Sequence, residues 1–218
     1  MPHETKNFVS PRYTHEKLDS RSYPDIVDVF EDRMLNWLIE PAKKLLELEH
    51  GAIAAVALAL SYFEGIEIYY SGEDSVNRSK EFFRRGFQRV FVVDPSGVEL
   101  YDKITDAIYI QARCGFAHDG LFRNRVFFST ALSKPITVTW PKKDGVFDTS
   151  GNFESVIINP HRFVDGIADH FARYVGELRS DTNAQLKSAF LAAVELRWGL
   201  DEPDRHIGMT EEEFTRGA

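Results

Sequence analysis

The chain is poor in cysteine, with a single residue, Cys114, among 218. One thiol excludes an internal disulfide and a cysteine-based zinc site, and it fits a protein of the reducing cytosol. Two catalytic signatures are also missing, since the sequence has neither a glycine-rich loop ending in Gly-Lys-Ser nor a Gly-x-Ser-x-Gly elbow. Its Asp, Glu and His residues show no metal-ligand spacing. We therefore expect no cofactor and no metal, and nucleotide triphosphatases, serine hydrolases and metal hydrolases are disfavoured.

Long apolar runs are equally scarce. The longest extends from Gly51 to Phe63, is closed by Glu64 and is too short to span a bilayer. The polar residues at the amino terminus lead into no apolar core of the kind that a signal peptide needs. We expect a soluble, cytoplasmic protein with no membrane partner. The net charge of −8 disfavours indiscriminate nucleic-acid binding, although a local basic surface remains compatible with it.

Core-forming residues, by contrast, are plentiful. Hydrophobic residues make up 43% of the chain and aromatics 13%, including 17 Phe, which is enough for one folded domain. The composition along the chain predicts a flexible N-terminal segment over 1–20, a single domain over 21–200 and an exposed acidic tail over 201–218.

Helical periodicity dominates most of the chain. A Ser22 cap with Pro24 in the first turn predicts a helix that Pro41 kinks or restarts. Residues 51–70 are apolar on nearly every side, which predicts a central helix surrounded by neighbours. Further helices are predicted over 77–91, from a turn at Asp94–Gly97 to about residue 118, after a cap at Asn159, and after a cap at Ser180–Asp181.

The pattern changes over about residues 125–158. Short β-branched and aromatic runs there are separated by turn-forming residues at 142–145 and 150–152, which predicts a small antiparallel β insertion. The fold class is therefore mainly α, a helical bundle with a small antiparallel β insertion.

The most informative segment is Arg113-Cys114-Gly115-Phe116-Ala117-His118-Asp119-Gly120, at the end of a predicted helix. Arginine binds phosphate well, and histidine transfers protons near neutral pH. A pair at this spacing arises by chance about once in such a chain, so the spacing alone carries no weight. The alternative interpretation is an arginine in a surface ion pair and a histidine at a helix end.

Helix geometry adds a requirement. Five residues of continuous α-helix turn through about 500°, which leaves Arg113 and His118 roughly 140° apart. The two side chains can serve one phosphate only if the helix breaks near Gly115, or if a two-fold dimer brings both motifs to one cleft.

The segment from Ile108 to Gly120 resembles the Arg-x4-6-His motif of HEPN domains (higher eukaryotes and prokaryotes nucleotide-binding), and the order of the preceding helices is similar. The resemblance implies a HEPN-like helical bundle and a homodimer with its motifs facing across the interface. Active members are metal-independent endoribonucleases in defence or toxin–antitoxin systems, where an antitoxin or another protein is a partner. By analogy, Arg113 would hold the scissile phosphate and His118 would be the general acid/base.

Cys114 departs from the family pattern, because active members often carry a polar residue directly after the arginine. A catalytically inactive dimeric module that binds nucleotide, RNA or a protein partner is therefore an alternative function, and a purely structural oligomer is a third. Glu64, Cys114 and Asp119 are the candidate supporting residues. A carboxylate on the apolar helix must be paired or shifted in pKa, so Glu64 is either a positioning group for Arg113 or His118, or a simple ion pair.

A basic segment supplies the candidate RNA-binding residues. Residues 77–89 hold five cations and one anion in an acidic protein, with two basic rows at i,i+4 spacing. The alternative is a solvated helix face over a phenylalanine-lined core. Together with two arginines after the motif, the candidates are Arg78, Lys80, Arg84, Arg85, Arg89, Arg123 and Arg125.

Overall fold

The computed structural model describes residues 9–92, 98–149 and 152–200, with Glu212 and Arg216. The prediction of a mainly α-helical protein with a small β insertion is confirmed. The helices are α1 (Tyr23–Met34), α2 (Glu40–Glu47), α3 (Ala52–Ala59), α4 (Ser61–Ser71), α5 (Ser79–Val90), α6 (Val98–Ala107), α7 (Gly115–Asp119), α8 (Pro160–Arg179) and α9 (Ala184–Trp198). A 3-10 turn covers His15–Leu18, and π-helical segments at Leu35–Ile39 and Ile108–Cys114 join α1 to α2 and α6 to α7.

Predicted caps begin two of these helices. Ser22 accepts a hydrogen bond from the amide of Asp25, and Asn159 accepts one from the amide of Arg162. The wide π-helical segment at Leu35–Ile39 lies directly before the predicted irregularity at Pro41, whose ring nitrogen has no hydrogen to donate. The last helix starts later than predicted, because Asn183 rather than Ser180 or Asp181 caps it.

The apolar 51–70 segment forms two helices rather than one. α3 and α4 meet at Leu60, next to Ser61, whose hydroxyl donates to the Leu58 carbonyl, a local bond that favours a bend. The prediction of burial on all sides is wrong for α3, where Ile53 is 48% exposed. Among the described residues, Ala52–Ser71 alone is long and apolar enough to cross a bilayer, and half of it is buried within the fold.

The aromatic core surrounds α4. The Phe63 ring contacts those of Phe83, Phe87 and Phe163, with centroids 4.8–5.6 Å apart. α5 crosses α4 so closely that a Cβ on Gly86 would lie 1.9 Å from the Phe63 carbonyl oxygen. α4 is thus packed against α5, α8 and α9, and its residues Glu64, Gly65 and Ile68 line the candidate site.

The β insertion contains β1 (Val126–Phe128), β2 (Ile136–Thr139), β3 (Lys142–Lys143), β4 (Val146–Phe147) and β5 (Ser155–Ile158). β2 and β5 pair antiparallel, as do β3 and β4. β1 pairs parallel with β5, so the prediction of a wholly antiparallel insertion is wrong for this pair. The chain passes through β2, β3 and β4 before β5 returns to the middle of the sheet, where it lies between β1 and β2.

The segment before α1 is packed rather than loose. Arg33 Nε donates to the Val9 carbonyl at 2.6 Å, the Arg12 amide donates to Asp32 at 2.8 Å, and Ser10 is fully buried. The predicted flexibility is therefore wrong over residues 9–20, while residues 1–8 lie outside the described residues. The predicted turn at residues 94–97 and the acidic tail, apart from Glu212 and Arg216, also lie outside them.

Candidate functional site

The motif helix does not break where the single-chain arrangement requires it. Arg113 lies in the π-helical segment, α7 continues it through Gly115, and the chain reverses only at Gly120, with φ +71°. Gly115 is buried, and a Cβ there would lie 2.9 Å from the carbonyl oxygen of Leu121. The glycine therefore allows the next loop to pack closely against the helix. A helix break near Gly115 was one of the two arrangements that could bring Arg113 and His118 to one phosphate. The structure shows no such break, so the arrangement that involves a two-fold dimer is the one left.

Glu64 on α4 holds Arg113 in place. Arg113 Nη2 donates to Glu64 Oε2 at 3.2 Å, and Ser75 donates to the other carboxylate oxygen, Oε1, at 2.9 Å. The guanidinium carbon also lies 5.7 Å from the centre of the Tyr109 ring. Of the two roles predicted for Glu64, the structure supports contact with Arg113, and the carboxylate is thereby paired.

A second arginine joins this network from the other end of the chain. Arg197 on α9 donates through Nη2 to Asp74 at 2.7 Å and to Ser75 Oγ at 3.3 Å. Ser75 therefore contacts both Arg197 and the carboxylate that holds Arg113. Sequence reasoning missed Arg197, Asp74 and Ser75, because no local pattern marks residues that come together only through the packing of α9 on α4.

Four residues of this network line an open cavity of about 460 Å³. Its polar wall consists of Glu64, Ser75, Arg113 and Arg197. Its other lining residues are small or apolar and come from α3, α4 and α7: Ala57, Leu60, Ser61, Gly65, Ile68, Phe116 and Ala117. An anion with an apolar part would find both guanidinium donors and apolar surface there.

His118 lies beside this cavity but does not line it. It is exposed on α7, directly after the lining residue Ala117. Its neighbour Asp119 forms an ion pair with Arg123 at 2.5 Å, and this hydrogen bond lowers the pKa of the Asp119 carboxyl. Within one chain, Arg113 therefore lines the cavity and His118 does not. Asp119, a predicted supporting residue, is paired with Arg123.

Cys114 is half-buried and has a free thiol. Burial is the main cause that raises the pKa of its neighbour Tyr109, and the Cys114 side chain adds to this effect. Cys114 is not among the residues that line the cavity. Cys114 therefore lies beside Tyr109, whose ring Arg113 contacts.

The predicted RNA-binding segment is extensively ion-paired. Lys80 and Arg84 both contact Asp106 on α6, each at 2.8 Å. Arg78 pairs with Glu73 and Glu81, each at 2.9 Å. Lys80 and Arg84 thus connect α5 to α6. The sequence left an RNA-binding groove and a solvated helix face as alternatives for this segment, and neither alternative predicted these ion pairs.

Glu67 contacts the remaining two cations of the segment. This α4 carboxylate has an exposed fraction of 0% and contacts Arg85 at 2.6 Å and Arg89 at 2.5 Å. Sequence reasoning singled out Glu64 and missed Glu67, although the two are one helical turn apart. Arg125, the last predicted RNA contact, lies at the β insertion with φ +77° and lines a separate cavity of about 620 Å³ with Arg123.

Within the described ranges, no group of three or more His, Cys, Asp or Glu residues is arranged to hold a metal ion. Comparison of the chain with protein-family models, with curated proteins and with solved structures finds no match. These comparisons therefore neither support nor contradict membership in the HEPN family.

Proposed function

We propose that the chain is a HEPN-like, metal-independent endoribonuclease that acts as a homodimer. The observation that carries the proposal is the fixed orientation of Arg113, which Glu64 holds beside an open cavity while exposed His118 follows on α7. Arg113 would hold the scissile phosphate, and His118 would transfer the proton to or from the ribose 2′ oxygen or the leaving 5′ oxygen. The defence or toxin–antitoxin setting belongs to the same proposal.

In the proposed homodimer, a second subunit supplies the histidine that the Arg113 cavity of one chain lacks. Since Arg113 and His118 do not share a cavity, a site that needs both would be formed by Arg113 of one protomer and His118 of its partner. Exposed apolar side chains flank the motif and support such an interface: Ile110 is 42% exposed, Phe116 38% and Leu121 71%.

The test is cleavage of a mixed RNA substrate in EDTA. Removal of a general acid/base costs about 10²–10⁴-fold in rate, so we expect Arg113→Ala and His118→Ala each to lose at least about a hundredfold. The matched controls are Arg179→Ala, a surface arginine paired with Asp28 and Glu31, and His161→Ala, an exposed histidine on α8. Cleavage that persists unchanged in both site variants would contradict the proposal.

A catalytically inactive binding module is the second candidate. It is favoured by the pairing of Arg113 with Glu64 and by the position of His118 outside the cavity. RNA that quenches tryptophan fluorescence in a salt-dependent manner, without cleavage by the wild-type protein, would support this module over the ribonuclease.

A further inference from the structure

Arg113 and Arg197 are the two cations of the motif cavity, although they come from distant parts of the chain. Each guanidinium is oriented by one carboxylate, Glu64 for Arg113 and Asp74 for Arg197. Ser75 connects the two pairs, because it donates to Glu64 and accepts from Arg197. The two arginines therefore belong to one hydrogen-bonded unit rather than to two independent surface ion pairs.

Both arginines retain solvent-accessible surface beside the cavity. Their side chains are 33% and 35% exposed, and in each the hydrogen bonds to carboxylate or hydroxyl run through Nη2. A guanidinium has five N–H donors, so each can still donate to a phosphate oxygen. A doubly contacted phosphate is the anion that this arrangement fits best.

Apolar side chains also line the cavity and form its apolar wall. They are Leu60, Ile68 and Phe116, and Phe116 is 38% exposed. Bases stack on aromatic side chains with little dependence on sequence. Gly65, which also lines the cavity, leaves open space: a Cβ built there meets no atom within 4 Å.

We propose that Arg197 is a second phosphate-binding residue of this site. The cavity then takes one nucleotide of an RNA strand, with its phosphate contacted by Arg113 and Arg197 and its base against the apolar wall. The choice of RNA as the ligand rests on the ribonuclease proposed above, whereas the role of Arg197 rests on the cavity.

The first test measures binding separately from cleavage. The probe is a fluorescein-labelled 2′-O-methyl octaribonucleotide, which has no free 2′-OH to attack the phosphate, and its affinity is measured by anisotropy over a range of salt concentrations. Loss of one charge-assisted contact weakens binding by about tenfold or more. Loss of one phosphate contact also lowers the salt slope by about 0.7. We expect both changes in Arg197→Ala and neither in the control Arg179→Ala, which removes the same charge elsewhere.

The second test fills the cavity without altering its charges. Gly65→Leu places a side chain in open space on α4, and leucine favours a helix over glycine. Gly176→Leu is the matched control, because Gly176 on α8 has equally open surroundings and lies outside the cavity lining. We expect Gly65→Leu to weaken octanucleotide binding at least about tenfold, and Gly176→Leu to bind like the wild-type protein.

The outcomes separate this inference from the proposed ribonuclease. If the wild-type protein binds the octanucleotide in an Arg197-dependent manner but cleaves no RNA, the ribonuclease is wrong and the inference stands. If RNA is cleaved while Arg197→Ala keeps the wild-type affinity and salt slope, the inference is overturned and the ribonuclease stands. Unchanged binding by Gly65→Leu, or no binding by the wild-type protein, also overturns it.

Discussion

At the scale of single residues, the two arginines of the candidate site are paired with carboxylates and still have N–H groups that are free to bind a ligand. Arg113 and Arg197 each have a carboxylate partner, so their guanidinium groups are oriented before a ligand arrives. Fixing a side chain in advance lowers the entropy cost of binding. The same carboxylates reduce the positive charge that an RNA strand would meet, so affinity would depend on contact geometry more than on net charge.

His170 is a buried histidine whose titration affects folding. It is 4% exposed on α8, and its Nδ1 lies 2.8 Å from the Tyr62 hydroxyl. Burial, together with the nearby cations Arg173 and Arg89, lowers its pKa to about 4. The imidazole thus stays neutral in the folded protein to a lower pH than in the unfolded chain, where it protonates near 6.5.

We predict that His170 destabilises the protein as the pH falls from 6.5 to 4. The unfolded state binds the extra proton in this window, so the free energy of unfolding decreases, by about 2–3 kcal/mol in all. Urea denaturation at pH 7 and pH 4.5 measures the change. His170→Asn, which keeps a polar partner for Tyr62 but does not titrate, should lose that part of the pH dependence. If the free energy of unfolding fell by the same amount between pH 7 and pH 4.5 in both proteins, the assignment to His170 would be contradicted.

At the scale of elements, the packing of α5 on α4 positions the site. The two helices approach at Gly86, and Glu67 on α4 holds Arg85 and Arg89 of α5. A buried carboxylate is tolerated there because two cations pair with it. Glu64, one turn earlier on the same helix, is thereby directed to the cavity and to Arg113.

We predict that Gly86→Ala destabilises the protein by about 2–3 kcal/mol, because the added methyl group would lie 1.9 Å from the Phe63 carbonyl oxygen and would force α4 and α5 apart. Chemical denaturation measures the change. Gly176→Ala is the control, because its surroundings are open and alanine favours a helix by up to about 1 kcal/mol over glycine. A Gly86→Ala protein as stable as the control would show that the helices do not approach this closely.

At the scale of the whole molecule, the features that could be predicted from the sequence are those that depend on residues close together in the chain. The mainly α fold, the caps at Ser22 and Asn159 and the irregularity before Pro41 follow from short-range patterns. The parallel pairing of β1 with β5 could not be read from strand composition, because the relative direction of two strands depends on the path of the chain between them. The contact between Arg197 and Ser75 spans 122 positions and leaves no local signal.

The basic segment of α5 also shows that contacts between distant parts of the chain cannot be predicted from local sequence. Its cations are conspicuous in the sequence, yet their partners Glu67 and Asp106 lie on other helices and become neighbours only on folding. Composition alone therefore overstated the positive surface of α5. The motif was easier to find than its environment, since the amino-acid order contains Arg113 and His118 but does not show that Arg113 lines a cavity from which His118 is absent.

The central claim is that Arg113 of one protomer acts with His118 of its partner, and a mixing experiment tests it most directly. Arg113→Ala and His118→Ala proteins, each inactive alone, are mixed in equal amounts and allowed to exchange subunits before RNA is added in EDTA. Random exchange makes half of the dimers mixed, each with one intact composite site, so we predict recovery of about one quarter of the wild-type rate. A mixture that forms mixed dimers by native mass spectrometry and yet stays inactive would contradict the claim.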